Sequence, residues 1–261
     1  MRQTITKLFK FLGIVQIMQL LQNIFRTRYA TDMYLAQLNI VAKNHKETFG
    51  EYKNKYFGKD ITVIATGPSL NKYKPIKNAI NIGVNKAVFC EKFNLDYFFA
   101  IDYSAVKTYI NELINYPNIK KFYGIFPETK FGSKWSIMDS CIIPESIILK
   151  QNAQKYYIYS NKPNYQIPFN TDIDKTWLVD GGSCVFSAMQ FALFTNPKRI
   201  YLVGCDCSSG YFDGKKGNDC SFIIKTWKEL KRFAEIYYPD TEIISVNPVG
   251  LKGLFIDLYQ E

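Results

Sequence analysis

The chain has 261 residues, 47% apolar and 21% charged, with 33 Lys and Arg against 23 Asp and Glu for a net charge of +10. That length fits one α/β domain or one domain with an appendage, and the apolar content supplies a core, which excludes global disorder. No apolar run reaches the ~18 to 20 residues of a membrane-spanning helix, and six scattered cysteines with no CxxC and one histidine indicate neither a zinc site nor a disulfide framework, hence reduced cytoplasmic thiols.

Charge gathers at the front, where residues 1–56 hold nine basic and three acidic side chains. Residues 4–28 read as one helix: Phe9, Leu12, Ile17, Leu20, Leu21 and Phe25 are apolar, while Gln16, Gln19, Asn23 and Arg26 recur at three- or four-residue steps. An amphipathic helix with basic ends suits an anionic membrane interface, and equally a packing face on its own domain or on a second subunit. Glutamines interrupt the apolar stretch and no small-residue cleavage site follows, which reads against a signal peptide. Without a helix-turn-helix, zinc-finger or RNA-binding signature beside the charge, nucleic acid is not expected as a partner. His45 lies in this basic region and reads as an exposed loop residue.

From Lys59 onward short β-rich runs alternate with helical stretches. Strands are expected at Ile61–Ala65, Ile80–Val84, Tyr97–Ile101, Lys121–Phe126, Arg199–Val203 and Glu242–Val246. Helices are expected after Asn85 to Phe93, from Ser104 to Asn115, over Ser183–Phe194 and over Ile223–Tyr238. The alternation argues for a mostly parallel sheet with helices on both faces, residues 57–261, preceded by a basic helical extension, residues 1–56.

Ligands of open α/β sheets sit beyond the carboxyl ends of the strands. Five polar turns fall there: Thr66-Gly67-Pro68-Ser69, Asn85, Asp102-Tyr103, Asp206–Tyr211 and the loop Asp180-Gly181-Gly182-Ser183 ahead of a helix. Gly67 permits close backbone approach, Pro68 presets the turn, and Ser69 can cap a helix or bind phosphate. The two glycines before an apolar helix leave backbone N–H groups and a helix dipole for an anion. Asp102 and Asp206 each end a strand, where a carboxylate can bind ribose, hold Mg²⁺, deprotonate a hydroxyl or simply cap a turn. Residues 208–217 (Ser208, Ser209, Gly210, Tyr211, Phe212, Asp213 and the glycine-lysine stretch after them) read as a lid.

The pieces Ile64–Leu70, Gly83-Val84-Asn85, Asp96 to Asp102, Asp180–Ser183, Ile200–Asp206 and Val246-Asn247-Pro248, in that order, resemble the bacterial sialyltransferase-like glycosyltransferases of capsule and lipooligosaccharide synthesis. They are also similar to the domain shared by flagellin-glycosylation proteins and archaeal 6-hydroxymethylpterin pyrophosphokinase. The resemblance runs from about Lys59 to Phe255 and implies a Rossmann-like domain using a CMP-linked sugar without metal or other cofactor. It places Thr66, Gly67, Pro68, Ser69, Asn85, Asp102, Gly181, Gly182, Ser183, Ser208, Ser209 and Asn247 around the nucleotide sugar. Tyr211 would steady the departing phosphate. The family's lid histidine, its general base, has no counterpart in residues 207–240, which leaves Asp206 or Asp213 for that role.

The resulting expectation is a glycosyltransferase taking a nucleotide-sugar donor, with sialic acid or a related acidic sugar as cargo. Its acceptor would be a bacterial surface glycan or glycolipid, and residues 1–28 would rest on the inner-membrane face. The alternatives are a Mg²⁺-dependent pyrophosphokinase-like enzyme and a non-catalytic nucleotide-sugar-binding protein; a homo-oligomer is compatible with each.

Overall fold

The computed structural model describes residues 40–125, 143–159 and 169–260, with Ile17, Leu21 and Leu38 as single positions before them. The chain divides into two compact units, Met1–Ile40 and Val41–Glu261. Of the first unit only Ile17, Leu21, Leu38 and Ile40 are described, all helical, so the amphipathic helix expected over 4–28 lies outside the described residues save for two of them. The second unit opens sixteen residues ahead of the boundary expected at 57, for a reason given by its first helix.

That helix, α1 (residues 41–49), turns Val41, His45 and Phe49 inward at four-residue spacing, and all three are buried. The expectation of an exposed His45 is therefore corrected. Its Nδ1–H donates to the carbonyls of Ile173 and Thr176, both at 2.8 Å, and its Nε2 accepts the Tyr157 N–H at 2.7 Å. These partners fix a neutral imidazole, and burial lowers its pKa from 6.5 to about 4. Phe49 and, just past the helix, Tyr52 then enter the sheet's core.

Nine strands follow: β1 (Asp60–Ile64), β2 (Ile80–Val84), β3 (Tyr97–Ala100), β4 (Lys120–Ile125), β5 (Gln154–Tyr159), β6 (Leu178–Val179), β7 (Arg199–Val203), β8 (Glu242–Val246) and β9 (Ile256–Leu258). They form one sheet in the order β6-β5-β4-β3-β2-β1-β7-β8-β9, every pair parallel. The strand order runs outward from β1 and β7 in both directions, a doubly wound Rossmann-like α/β sheet. The six strands expected from sequence are all present. Between them lie α2 (Tyr103–Val106), α3 (Glu145–Lys150), α4 (Val185–Phe194) and α5 (Ile224–Tyr237). Where longer helices were expected after β2 and β3, the chain makes a 3-10 turn at Asn85–Phe89, the four-residue α2 and a second 3-10 turn at Glu112–Asn115.

Side chains alternate between two cores, one on each face. Ile61, Val63, Tyr97 and Phe99 face α1, α4 and α5, while Ile64, Phe98 and Ala100 face the segments after β1, β2 and β3. Phe191 of α4 gathers the first core, with ring centroids from 5.0 Å (Tyr52) to 6.0 Å (Phe49) and Tyr97, Phe99 and Phe122 in between. All ten residues of α4 are buried, so it lies over the sheet rather than beside it. The register sets Ile64 beside Gly83 and Val203, and Val84 beside Phe99, so β1, β2, β3 and β7 end level with one another.

Candidate functional site

Where those strands end, the chain must reverse at once. The residue following the strand takes a left-handed conformation at Asn85 (φ +50°) after β2, Gly204 (φ +64°) after β7 and Asn247 (φ +48°) after β8. Asparagine is the side chain that best tolerates this region after glycine, so Asn85 and Asn247 have a backbone reason to be there. Asn247 also accepts the Gln260 N–H through Oδ1 at 2.9 Å, tying β8 to the chain after β9.

The ends of β1 and β7 are pinned together. The Gly67 N–H donates to the Gly204 carbonyl at 2.8 Å, and a Cβ on Gly67 would stand 2.6 Å from both that oxygen and Asp206 Cγ. The close approach that Gly67 permits is thus to its own chain. Ser69 gives both its donors to Asp206: its N–H reaches Oδ2 at 2.7 Å, and its hydroxyl donates to Oδ1. Asp206 is 4% exposed, and its carbonyl accepts the Gly250 N–H at 2.8 Å. Both donors of Ser69, expected to bind phosphate, are thus turned to Asp206, and the Asp206 carboxylate, expected as a base, is enclosed with Ser69 as its partner.

The loop expected as a lid lies against these turns. The Phe212 N–H donates to the Thr66 carbonyl at 2.9 Å, and Asn71 Nδ2 donates to the Phe212 carbonyl at 2.8 Å. The Tyr211 N–H and the Lys215 carbonyl close the loop on itself at 3.1 Å, while Gly210 stands beside Pro68. Ser208 and Ser209 open the loop. Lys86, directly after Asn85, reaches across with its Nζ 3.6 Å from Asp213 and 5.3 Å from the Tyr211 ring centroid. Lys215 also approaches Asp213, at 3.9 Å. Asp213, expected as an alternative base, therefore has two lysine cations beside it, Lys86 and Lys215.

The fifth turn leads into α4. Gly181 (φ +60°) and Gly182 (φ +88°) are both left-handed. A Cβ on Gly181 would press to 2.6 Å from Phe186, and Thr226 Oγ1 donates to its carbonyl at 3.2 Å, so α5 packs directly on this turn. Ser183 Oγ stands 3.5 Å from the Val185 N–H, a weak cap for α4. Beside Gly182 stands Phe222, 67% exposed.

Asp180 begins this turn and carries the most informative charge in the region. Burial raises its pKa from 3.8 to about 6, opposed by a hydrogen bond from the Gly182 N–H and reinforced by the charge of Asp102 from the end of β3. Beneath it, Cys184 and Tyr156 are enclosed, and burial pushes both well above their ordinary range. Tyr109, also 6% exposed, is held up by burial and by Cys184, Tyr123 and Tyr211 within electrostatic reach.

Thr66, Pro68, Asn85, Tyr211 and the adjoining Lys86 are thus gathered in one place, with Asp102, Gly182 and Ser183 along the same strand edge. Asn247 belongs to the β8–β9 side. Sequence reading missed Lys86 and Tyr109 and took Asp180 for a turn residue. Only the position of Lys86 next to Asn85 was a usable signal. A groove of about 450 Å³ between α5 and β8–β9, lined by Lys231, Tyr238, Glu242 and Phe255 among others, holds none of these residues. Among the described residues no three His, Cys, Asp or Glu side chains gather to hold a metal ion, and no helix is long and apolar enough to cross a membrane.

No family model and no curated protein matches the chain. Among solved structures, a MAf glycosyltransferase from Magnetospirillum magneticum AMB-1 is similar at 14% identity and a TM-score of 0.46. The similarity covers 84% of this chain and 38% of the other, so this chain spans well under half of that protein.

Proposed function

We propose that the chain is a glycosyltransferase that moves a sugar from a nucleotide donor to a hydroxyl acceptor. One observation carries the reading: the ends of β1, β2, β3 and β7 meet the glycine-opened start of α4 on one edge of a doubly wound sheet, where such sheets take their ligands. Two features favour a phosphate-bearing donor. The positive end of the α4 dipole, approached through two glycines without side chains, suits an anion, and Lys86 supplies a cation beside Tyr211 that a phosphate can take over from Asp213.

In this reading the acceptor oxygen attacks the anomeric carbon and the nucleotide phosphate departs, steadied by Tyr211 and Lys86. A CMP-linked acidic sugar and a surface-glycan acceptor rest on the order of the motifs alone. Placement at the inner-membrane face rests on the basic charge of the N-terminal segment, with residues 1–28 as the membrane-facing part. Thermal unfolding in the presence of CMP, CDP, UDP, GDP and ATP tests the reading. One of them at saturating concentration raises Tm by several degrees, as a ligand at about 100 times its Kd adds about 2.7 kcal/mol. If none shifts Tm, the proposal is wrong. Sugar transfer that persists in EDTA excludes the Mg²⁺-dependent alternative.

A further inference from the structure

We infer that Asp213 is a built-in competitor for Lys86, holding that cation while no donor is bound and giving it up to the donor's phosphate. This regulates the donor site itself and therefore rests on the glycosyltransferase reading.

The loop after β7 is placed by a series of contacts across the strand ends. In the order β2-β1-β7 the chain winds outward in opposite directions from β1 and β7, and the crevice of a doubly wound sheet opens at that reversal. From β7 the loop reaches over the turn of β1 to the turn of β2. A Cβ on Gly210 would touch Pro68 at 3.7 Å, the Phe212 N–H donates to the Thr66 carbonyl at 2.9 Å, and Asp213 meets Lys86, which follows Asn85 at the end of β2. Asn71 Nδ2 donates to the Phe212 carbonyl at 2.8 Å, so both polar groups of the Phe212 backbone are fixed.

The next residue along the loop is held less firmly. Asp213 Oδ1 accepts the Lys215 N–H at 3.2 Å, and Oδ2 stands 3.6 Å from Lys86 Nζ and 3.9 Å from Lys215 Nζ. Both lysine distances exceed hydrogen-bond length, so charge alone joins these groups. Lys86 and Asp213 are each 28% exposed, and a pair of that length reached by water is weak. Lys215 is farther off and mostly in solvent, which leaves Lys86 as the main partner. A Cβ on Gly214, the residue after Asp213 at φ +76°, would meet nothing within 4 Å, so the tip of the turn has space to move into. Lys86 has a second hold. Its Nζ lies 5.3 Å from the centroid of the Tyr211 ring, and Gly217 backs that ring so closely that a Cβ there would come within 2.8 Å. Lys86 and Tyr211 therefore stay together when Asp213 swings away.

A donor phosphate brings at least the charge of a carboxylate on more oxygens, and it reaches a lysine in charge-assisted hydrogen bonds of about 2.7 to 2.9 Å. Asp213 makes no such bond to Lys86, so a phosphate displaces it, whereas a simple anion such as chloride does not. The ion pair thus sets a threshold that an entering anion has to exceed. It also lowers the apparent affinity for the donor by the fraction of molecules in which Lys86 is already taken.

Isothermal titration with CMP, CDP, UDP, GDP and ATP compares wild type, D213N, K86Q and the K86Q/D213N double variant, each as the full chain. With whichever nucleotide binds, D213N should bind about 2- to 5-fold more tightly, the range of an exposed ion pair. K86Q should bind about 10- to 100-fold more weakly, and the double variant should match K86Q. The double variant separates competition from plain repulsion, because a carboxylate that merely repels phosphate does so with or without Lys86. Unchanged or weaker binding by D213N, unchanged binding by K86Q, or the same gain from D213N in the K86Q background overturns the inference and leaves the donor reading standing. Wild type that binds none of the five overturns both. Should D213N not fold, Asp213→Ser is judged by the same outcomes.

Discussion

His45 and Asp180 are both titratable groups tucked against the same sheet, and the fold treats them in opposite ways. His45 has a backbone partner for each ring nitrogen, and its pKa falls to about 4 because it is enclosed as a neutral imidazole that fits. Asp180 has one backbone N–H and a second carboxylate for company, and its pKa rises to about 6 because its charged form does not fit. The difference teaches that burial acts against whichever form carries charge, so it lowers the pKa of an enclosed imidazole and raises that of an enclosed carboxyl.

The largest effect follows from linkage. His45 titrates near 6.5 unfolded and near 4 folded, so the stability it contributes is complete above pH 6.5 and is lost as pH falls through 4. Asp180 runs the other way, with its stabilising contribution present below 3.8 and lost as pH rises through 6. Each shift is worth about 3 kcal/mol at 1.36 kcal/mol per unit, so between pH 4 and 6 the two nearly offset one another. Breaking either should expose the other. Relative to wild type, Asp180→Asn should lose stability steadily from pH 6.5 to 4, and His45→Gln should gain it over the same interval. Urea midpoints at pH 7, 5.5 and 4 read this directly, and parallel curves for the three proteins would dissolve the comparison.

A second way to sharpen the comparison is to strike a polar group that resembles His45 in being fully engaged. Asp206 is such a group, and Gly67 guards it. Gly67 has φ −68°, so alanine there meets no backbone strain; the added Cβ meets Asp206 Cγ and the Gly204 carbonyl, both at 2.6 Å. Neither can swing aside, and overpacking of this kind costs about 2 kcal/mol. Gly67→Ala should show that loss in urea unfolding at every pH from 5 to 8, with none of the pH dependence expected at Asp180. An unchanged midpoint would mean that the β1–β7 junction has room for a ligand after all.

Much of the sheet was legible because six strands are runs such as ITVIA and RIYLV, buried on both sides and rich in β-branched residues. The missed strands lacked that signal: β6 has two residues, β9 three, and β5 reads QKYYIY with polar residues in its first half. Helix α1 was missed because one of its three inward positions is a histidine, which reads as surface until its partners at Tyr157, Ile173 and Thr176 are known. At the site, strand ends announced themselves through Asn85, Gly204 and Asn247. What each polar side chain then does was not legible. Ser69 is 137 positions from the carboxylate that takes both its donors, and Asp180 owes its raised pKa first to burial, which sequence spacing does not reveal.

The smallest expected effect concerns Phe222, and it separates the fold from the site most cleanly. Phe222 is 67% exposed, yet its ring edge lies 3.2 Å from where a Cβ on Gly182 would stand, so that edge abuts the glycine turn while most of the ring meets solvent. An aromatic left open beside a helix start has little to lose on truncation, and Phe222→Ala should change stability by no more than about 0.5 kcal/mol. A ring so placed offers a flat apolar wall to a sugar or base held beside the glycine turn. Aromatic pairing of that kind contributes about 0.5 to 1.5 kcal/mol, which corresponds to a loss of roughly 2- to 12-fold in affinity for the nucleotide or nucleotide sugar that raises Tm. Isothermal titration of wild type and Phe222→Ala with that ligand measures the ratio. Equal affinities would move the ligand away from α4 and toward the Lys86–Tyr211 side of the strand ends.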